Sequence, residues 1–585
     1  MSAFSFKIRI FPWPAIFLGA CLSLAYGLFS PLPTARGEAP DERLVITAAD
    51  IAAMKVNKIA DIFNQAPGLT AGSSSVSIHG SYKVRVYLDG APLNDPTSSY
   101  GAINWDHVAP DSIERIEILR GSGSLRYGQD SSGGVILITT KPLKLLSGNI
   151  KVYGGNLDSG RAETNLTTRK GDWGFGFKSF YERSQGFKIN NDSQRWQAGF
   201  KASFSPAADR YLSLAADYLE DRRGLSGLPD FPTPHSRQRT RNLALSLNGR
   251  YEGLANNLYY NSGRAANQDR DRQLDQNLTV TEIGDDLTYE LTTGGFGRLA
   301  LGAGYWRGEA EGGDFSPQSE NAAYFFASQT LKSGDSPWSF SFGLRADLNS
   351  TFALALNPEG RLAYARDAWA LGFLYSRSAN TPSFQQRYNQ TSSTDPNPNL
   401  GMEKADNFSL TFNIAPRENL TLNATLFYNI LTDRITYVRP TGSGIGQYQN
   451  LGRVVYSGAD AGFSWRLNPS LNFKGTYTYL LAEDREISKW LTSQARHKGR
   501  LELFWQPLPP LNAAFSLNYT GRTYNNRENT EELASYTLFN FRGEYAFDDY
   551  SLFCEVNNAL NKTYYYVDGL LAPPRTWIFG VNWNI

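Results

Sequence analysis

Residues Leu420-Thr421-Leu422-Asn423-Ala424-Thr425-Leu426 alternate apolar and polar side chains without a break. The period is two rather than 3.6, so the segment reads as a strand with one greasy face and one wet face. The pattern recurs in both directions along the chain. Leu243, Leu245 and Leu247 interleave with Ala244, Ser246 and Asn248, and Phe340, Phe342 and Leu344 with Ser341, Gly343 and Arg345. Phe515, Leu517 and Tyr519 interleave with Ser516 and Asn518, and Trp577, Phe579, Val581, Trp583 and Ile585 close the chain. From about Ser147 to Ile585 no helical period is sustained.

The connections also alternate. Short ones fall at Lys170-Gly171-Asp172, Pro206 to Asp209, Glu252-Gly253, Gly294-Gly295, Ser333 to Pro337, Arg366-Asp367, Pro416 to Asn419, Asn468-Pro469, Pro507 to Pro510 and Asp548-Asp549. Longer polar ones fall at 221–240, 266–277, 309–321, 379–403, 439–452, 482–495, 523–534 and 561–574. Short turns on one rim and long loops on the other are the pattern of a transmembrane barrel. Roughly 440 residues divided among about 22 strands leave about 20 for each strand and its connection, and a crossing strand needs about 9–11. Closure is required because an open edge in lipid would strand its N–H and C=O groups. A soluble propeller would show blade repeats, and none is present. Aromatic pairs near segment ends, at Tyr259-Tyr260, Tyr305-Trp306, Tyr477 with Tyr479 and Tyr564 to Tyr566, suit interfacial girdles.

Composition agrees. Aromatics are 13% and charged residues 19% of 585, too aromatic for a disordered chain and sparsely charged for a soluble enzyme. A net charge of +1 gives no global field for nucleic acid, so none is expected as a partner. Lys7 and Arg9 precede the apolar run Ile16 to Phe29, and small residues follow at Ala35, Gly37 and Ala39. This reads as a signal peptide over 1–37. A lipoprotein signal at Leu18-Gly19-Ala20-Cys21 is the rival reading. After cleavage Cys554 alone remains, so no intramolecular disulfide forms, and a strand-like context makes it a small packing residue.

Residues 41–142 differ in texture. Helix-like patterns at Asp50 to Lys55 and Lys58 to Gln65 mix with short strands at Val76 to His79, Val84 to Leu88, Ile113 to Leu119 and Gly134 to Thr140. A barrel of about 22 strands has a lumen that leaks unless filled. The expected fold is therefore an all-β transmembrane barrel of about 22 antiparallel strands over 147–585, with an N-terminal α+β plug domain, 41–142, inside its lumen.

The plug segments carry a resemblance. Val45-Ile46-Thr47-Ala48-Ala49-Asp50-Ile51, Ala66-Pro67-Gly68-Leu69, Tyr87-Leu88-Asp89-Gly90-Ala91-Pro92-Leu93-Asn94-Asp95 and Ile113 to Gly121 with Leu125-Arg126-Tyr127-Gly128 are similar to the plug motifs of TonB-dependent outer-membrane receptors. In the barrel, Asn397-Pro398-Asn399-Leu400, Glu403 to Asn407, Asn450-Leu451-Gly452, Ser457 to Asp460, Arg496-His497-Lys498, Val556 to Lys562 and Pro574-Arg575 follow in the family's order. The chain resembles the smaller cobalamin and catecholate-siderophore receptors most. The resemblance implies an outer-membrane transporter of a Gram-negative cell that binds a metal chelate, cobalamin or a ferric siderophore, and imports it into the periplasm. Implied partners are TonB with its inner-membrane energising complex, the ligand, outer-membrane lipid or lipopolysaccharide, and the barrel-assembly machinery. A monomer with no cofactor and no resident metal is expected.

Site roles follow from the same resemblance. Plug arginines pair with barrel acids in the family, which assigns Arg120 as a seating arginine with Glu403 and Asp460 as its acids. The usual second arginine is His79 here. Arginine is always charged and histidine titrates near neutrality, so a weaker, pH-sensitive seat is expected, the alternative being a His79 exposed in a wet lumen. Ligand is expected at the plug apex, on Ser81, Tyr82, Lys83, Thr97, Ser98, Ser99 and Tyr100. The first of these loops is about two residues shorter than in cobalamin receptors, so their contacts do not transfer there.

Other features carry weaker readings. Arg222, Arg223, Arg237, Arg239 and Arg241 surround loop 221–240, and read either as an attractor of an anionic chelate or as contacts for anionic lipid head groups. Asp269, Asp271 and Asp275 are interleaved with Arg270 and Arg272, which argues against a calcium loop. Gly121, Gly123, Gly128, Gly133 and Gly134 read as turn glycines, since no P-loop Lys-Ser/Thr pair follows. Only Glu38 to Leu44 remain between the expected cleavage and Val45, so either Leu44, Val45, Ile46, Thr47 and Ala48 serve for TonB contact by strand addition as well as for the plug strand, or energy coupling is altered or lost. Terminal Ile585 departs from the family's usual Phe or Trp. No Ser-His-Asp order or carboxylate pair stands out, and no enzymatic activity is expected. The competing function is a plugged barrel that binds or attaches without energised transport.

Overall fold

The computed structural model describes residues 43–585 apart from 99–100, 208, 295–296, 314, 333, 367, 392 and 440–443. The expected signal segment, Ser99 and Tyr100 lie outside the described residues. The chain from Leu146 to Asn584 forms a closed barrel in which 22 long antiparallel strands pair with their neighbours, and the last, Thr576–Asn584, closes on the first, Leu146–Gly155. A two-residue strand, Lys489–Trp490, adds to one rim. The period-two segments lie where expected: Leu420–Thr432 and Trp338–Asn349 are barrel strands.

The apolar face points outward. Leu426, Phe325, Phe342 and Phe579 are each about half exposed, and a greasy belt of this extent is stable only against lipid. The girdle nearest the short turns is aromatic: Trp173, Trp338, Trp369, Trp505 and Trp583 all lie exposed beside those turns or at the chain's end. The girdle expected at Tyr259-Tyr260 and Tyr305-Trp306 is half corrected. Adjacent strand residues face opposite sides, so Tyr260 and Tyr305 face out while Tyr259 and Trp306 line an inner cavity.

Two expected loops are mostly strand. Leu254–Asp269 and Leu274–Thr292 run through 266–277 with four residues between them, and Arg298–Gly312 and Phe315–Leu331 run through 309–321. Above the lipid both faces of a strand meet water, so the alternation that marks a strand disappears while its ladder continues.

Inside the barrel, residues from Arg43 to Thr140 form a five-stranded sheet in the order Arg43–Thr47, Ile113–Arg120, Gly134–Thr140, Val84–Leu88, Ala91–Pro92. Two short helices, Ala48–Met54 and Ile59–Phe63, cover it. The first begins where Thr47 and Asp50 form a reciprocal capping box. Ile46, Ile62, Phe63, Ile116, Ile118, Ile136 and Ile138 make the core of this domain. Its boundary with the barrel is polar instead. Lys55 meets Glu544 at 3.0 Å, Asp61 meets Arg542 at 2.9 Å, Asp111 meets Lys151 at 2.9 Å, Asp89 meets Lys201 at 2.7 Å and Arg126 meets Glu290 at 2.8 Å. A polar boundary lets one folded body move against another, since water can replace each contact in turn.

Candidate functional site

The plug apex is built by two adjoining loops. Ile78 and Ser81 exchange backbone hydrogen bonds of 3.0 and 2.9 Å across a turn in which His79 and Gly80 both take left-handed backbone. This presents Tyr82, which is 48% exposed and the most open large side chain among the described apex residues. Asn94 ties the second loop to the first, donating to Val84 O at 3.0 Å and accepting from Val86 N at 3.0 Å.

The expected ligand residues divide by what occupies them. Thr97 donates from its amide and its hydroxyl to Asp95, and Ser98 Oγ accepts from Ala102 N at 3.0 Å, so both hydroxyls hold the turn. Burial raises the Asp95 carboxyl above its ordinary range, although Thr97 pulls it down. Lys83 Nζ is 3.1 Å from Asp130, which also accepts from Thr381 of the barrel at 3.1 Å. Burial would lower the Lys83 ammonium, but Asp130 and Glu403 outweigh it and hold it above the usual lysine value. Among the described apex residues Tyr82 is the one left exposed, with Ser81 beside it half-buried.

Below Tyr82 and Lys83 a cavity of about 600 Å³ opens between the plug and one wall of the barrel. The wall contributes Tyr259, Asp286, Tyr324 and Arg345. Tyr324 donates to Asp286 at 2.5 Å, and the Arg345 guanidinium lies 3.5 Å over the Tyr324 ring while bonding Asp347 at 2.8 Å. The upper end reaches Phe384 and Arg387, and the lower reaches Lys141, Pro142 and Arg169 beside the short turn at Lys170. The cavity therefore touches both rims. None of the four reads as a cavity wall in the sequence: Tyr259 reads as girdle, Arg345 only as the polar phase of a strand, and Asp286 and Tyr324 do not stand out. The signal was the lumenal phase of their strands, where Asn257, Tyr259 and Asn261 alternate with the lipid-facing Leu258 and Tyr260.

On the other side of the plug, His79 Nε2 lies 2.6 Å from Asp460 Oδ2, and Arg120 Nη1 lies 3.6 Å from the same oxygen. Arg120 also donates to Thr425 at 3.2 Å. His79 is 2% exposed, with its ring stacked on Phe427 at 3.8 Å, so the alternative of a solvent-exposed His79 is corrected. Glu403 does not share in this cluster. It accepts from Asn380 at 3.0 Å and from Ile435 N at 2.7 Å, because the register places Asn380 directly opposite it.

The segment expected to contact TonB is the edge strand of the plug sheet. Among the described residues Arg43–Thr47 pairs with Ile113–Arg120 at the edge of the plug sheet, Ile46 is buried and Ala48 begins a helix. Asp269 is engaged by Arg272 at 3.1 Å and Asp271 by His235 at 2.9 Å, which is how those carboxylates are satisfied.

A family model described as "TonB dependent receptor-like, beta-barrel" matches residues 105–559, and the "TonB-dependent Receptor Plug Domain" matches residues 36–135. The chain is a TonB-dependent receptor. It is 23% identical over 580 residues to the vitamin B12 transporter BtuB of Photobacterium profundum, covering 89% of this chain and 88% of that one. It is 34% identical over 143 residues to a ferric enterobactin receptor of Pseudomonas aeruginosa, covering 20% of this chain and 19% of that one. The siderophore receptor PirA of Acinetobacter baumannii shares the fold at a TM-score of 0.79 and 16% identity, over 93% of this chain and 98% of that one. The receptor's apolar belt lies in the outer membrane, and its family binds metal chelates and interacts with TonB.

Proposed function

We propose that the receptor captures a metal chelate, cobalamin or a ferric siderophore, at the apex around Ser81, Tyr82 and Lys83, and passes it to the periplasm along the wall formed by Tyr259, Asp286, Tyr324 and Arg345. The cavity that already reaches from apex to short-turn rim carries this reading. A modest shift of the plug then opens a path, and the polar plug boundary permits such a shift. His79, Arg120 and Asp460 seat the plug on the opposite wall, with Glu403 holding the loop above them. TonB engages the strand Arg43–Thr47, which stands at the edge of the plug sheet among the described residues.

Charge at the mouth does not single out an anionic chelate. Lys83 is paired with Asp130, and Arg237 with Asp192 at 2.7 Å. The test is intrinsic fluorescence quenching by cyanocobalamin and by a ferric tris-catecholate, followed by energised uptake of whichever binds. Saturable capture with accumulation that stops when TonB is deleted is the expected result. Capture with no accumulation in the TonB-positive strain would instead identify the binding-only barrel.

A further inference from the structure

Five cations that line the cavity are each neutralised by a protein carboxylate. Lys83 meets Asp130 at 3.1 Å, Lys201 meets Asp89 at 2.7 Å, Arg126 meets Glu290 at 2.8 Å, Arg345 meets Asp347 at 2.8 Å and Arg387 meets Glu320 at 2.5 Å. Arg85 is different. It stands on the plug strand Val84–Leu88, between Lys83 and Asp89 on the side turned to the cavity. Among the described residues no carboxylate forms an ion pair with it, and its buried Nε has no hydrogen-bond partner. Asp130 and the barrel's Glu282 act on it electrostatically from beyond contact. Glu282 lines the cavity too, and is likewise unpaired. The other uncompensated cations, Lys141, Arg169 and Arg250, stand with Glu114 at the short-turn end, where Lys141 and Arg169 donate to backbone carbonyls. Among the described residues Arg85 is therefore the free guanidinium in the body of the cavity.

The barrel wall around it carries further unmet polar atoms. Register places Asn248, Asn257 and Asp286 in one lumenal row and Tyr259, Gly284 and Trp306 in the next row toward the long loops, with Glu282 above them. A Cβ on Gly284 would come within 2.3 Å of the Tyr259 ring, and one on Gly308 within 2.6 Å of the Trp306 ring. Bare glycines thus let both rings lie against the wall and keep the space in front of them open. Asn248 donates to Asp89 O at 2.9 Å and Asn257 to Gly90 O at 2.5 Å, which sets each amide's orientation and leaves each Oδ1 buried without a partner. Trp306 Nε1 is buried and unpartnered as well. Each unmet donor or acceptor is a penalty that a bound ligand removes.

We infer that Arg85 sets the charge of the cargo: it takes one anionic group, a phosphate or a carboxylate, while Asn248, Asn257 and Glu282 take N–H donors beside that group. This rests on the transport reading above and narrows it. The guanidinium fork offers parallel donors to two oxygens of one anion. Further negative charges would find no free cation in reach and would face Glu282, and burying an unpaired charge is costly. The cargo is therefore a chelate with a single anionic group among amides, and a triply negative ferric tris-catecholate is excluded.

The mature receptor in neutral detergent is titrated with cyanocobalamin, which carries one phosphodiester among several amides, and with a ferric tris-catecholate, both read by fluorescence quenching. Acetylglycinate, a carboxylate beside an amide, and inorganic phosphate are titrated separately by NMR line broadening, which tells the two anion types apart. Cyanocobalamin is expected to bind about tenfold or more tightly than the tris-catecholate. Arg85→Gln is expected to cut that affinity about tenfold, and Arg85→Lys to restore part of it. Equal or tighter binding of the tris-catecholate, or unchanged cyanocobalamin binding in Arg85→Gln, overturns the assignment. If neither chelate binds, the capture reading fails and the small anions judge the site alone: broadening of either that is lost in Arg85→Gln supports it, and no broadening, or broadening that Arg85→Gln leaves intact, overturns it. Should Arg85→Gln fail to fold, Glu282→Gln decides: it removes the opposing carboxylate and is expected to raise tris-catecholate affinity severalfold, and an unchanged or lower affinity overturns the proposal.

Discussion

His79 Nε2 donates to Asp460 Oδ2 across 2.6 Å, joining the plug to the barrel between two residues 381 positions apart. The contact is sealed by Phe427 on one ring face and by Gly68, where a Cβ would come within 2.8 Å of the imidazole. Asp460→Ala removes the acceptor shared with Arg120. Breaking a buried pair of this kind costs about 3–5 kcal/mol, so the plug is expected to release at lower urea in hydrogen-exchange measurements on residues 76–81. Restoring the family's arginine at position 79 is expected to weaken the seat by about 1–3 kcal/mol, because a longer side chain overfills the slot. A seat strengthened by His79→Arg would show that charge, not fit, limits it.

Acid should loosen the plug through His107. This residue is 3% exposed, its Nδ1 has no hydrogen-bond partner, and burial lowers its affinity for a proton below the ordinary imidazole value. The unfolded chain binds that proton more readily, so the stabilisation is complete above about pH 6.5 and declines as pH falls below it toward the lowered folded value. Plug protection measured from pH 7.5 to 5 is expected to fall, and His107→Phe to flatten the dependence. An unchanged slope in His107→Phe would place the titrating group elsewhere.

Capture and transport should separate when the plug is tethered. A Cβ on Gly121 would lie 3.5 Å from the Asn407 Cβ, within disulfide reach. Gly121→Cys with Asn407→Cys is expected to bind ligand normally under oxidising conditions and to transport none until reduced. Uptake by the oxidised protein would mean that the path opens without moving this part of the plug.

Tyr82→Ala removes the most exposed apex side chain and is expected to weaken ligand binding about tenfold, or about 1.4 kcal/mol, with thermal stability unchanged. Thr97→Val breaks an internal turn contact and should lower stability more than affinity. Equal effects on both quantities in both variants would collapse the division between recognition and support.

A strand-breaking change at the plug edge tests the TonB reading. Val45→Pro removes an amide donor from Arg43–Thr47 while leaving the apex and the cavity untouched. Energised uptake is expected to be lost and ligand capture retained, as measured by accumulation and by fluorescence quenching.

The barrel was legible in the sequence because lipid enforces a strict two-residue period wherever strands cross it, as at Leu420–Thr432. The plug elements were legible for the opposite reason: Ile116, Ile118, Ile136 and Ile138 form dense apolar runs that only a buried sheet explains. What stayed hidden depended on register. Alternation separates two faces without saying which is inside, so Tyr259 and Trp306 read as girdle, and Arg239 and Arg241 stay open between a ligand-attracting mouth and contacts for lipid head groups. Glu403 was matched to Arg120 by resemblance, yet its neighbours are set by the strand opposite, which places Asn380 beside it. The wall of the cavity was missed because Tyr259, Asp286, Tyr324 and Arg345 come from different strands and converge only when the barrel closes.

The antiparallel pairing of Arg43–Thr47 with Ile113–Arg120 has a mechanical consequence. Arg43 lies opposite Leu119, one residue from the arginine that touches Asp460. A tug on the chain ahead of Arg43 enters the ladder at that latch and peels pairs away from it, one after another. Pulled in that way, the ladder would yield rung by rung beginning beside the Arg120–Asp460 contact, and the first load would fall on the seat rather than on the whole sheet.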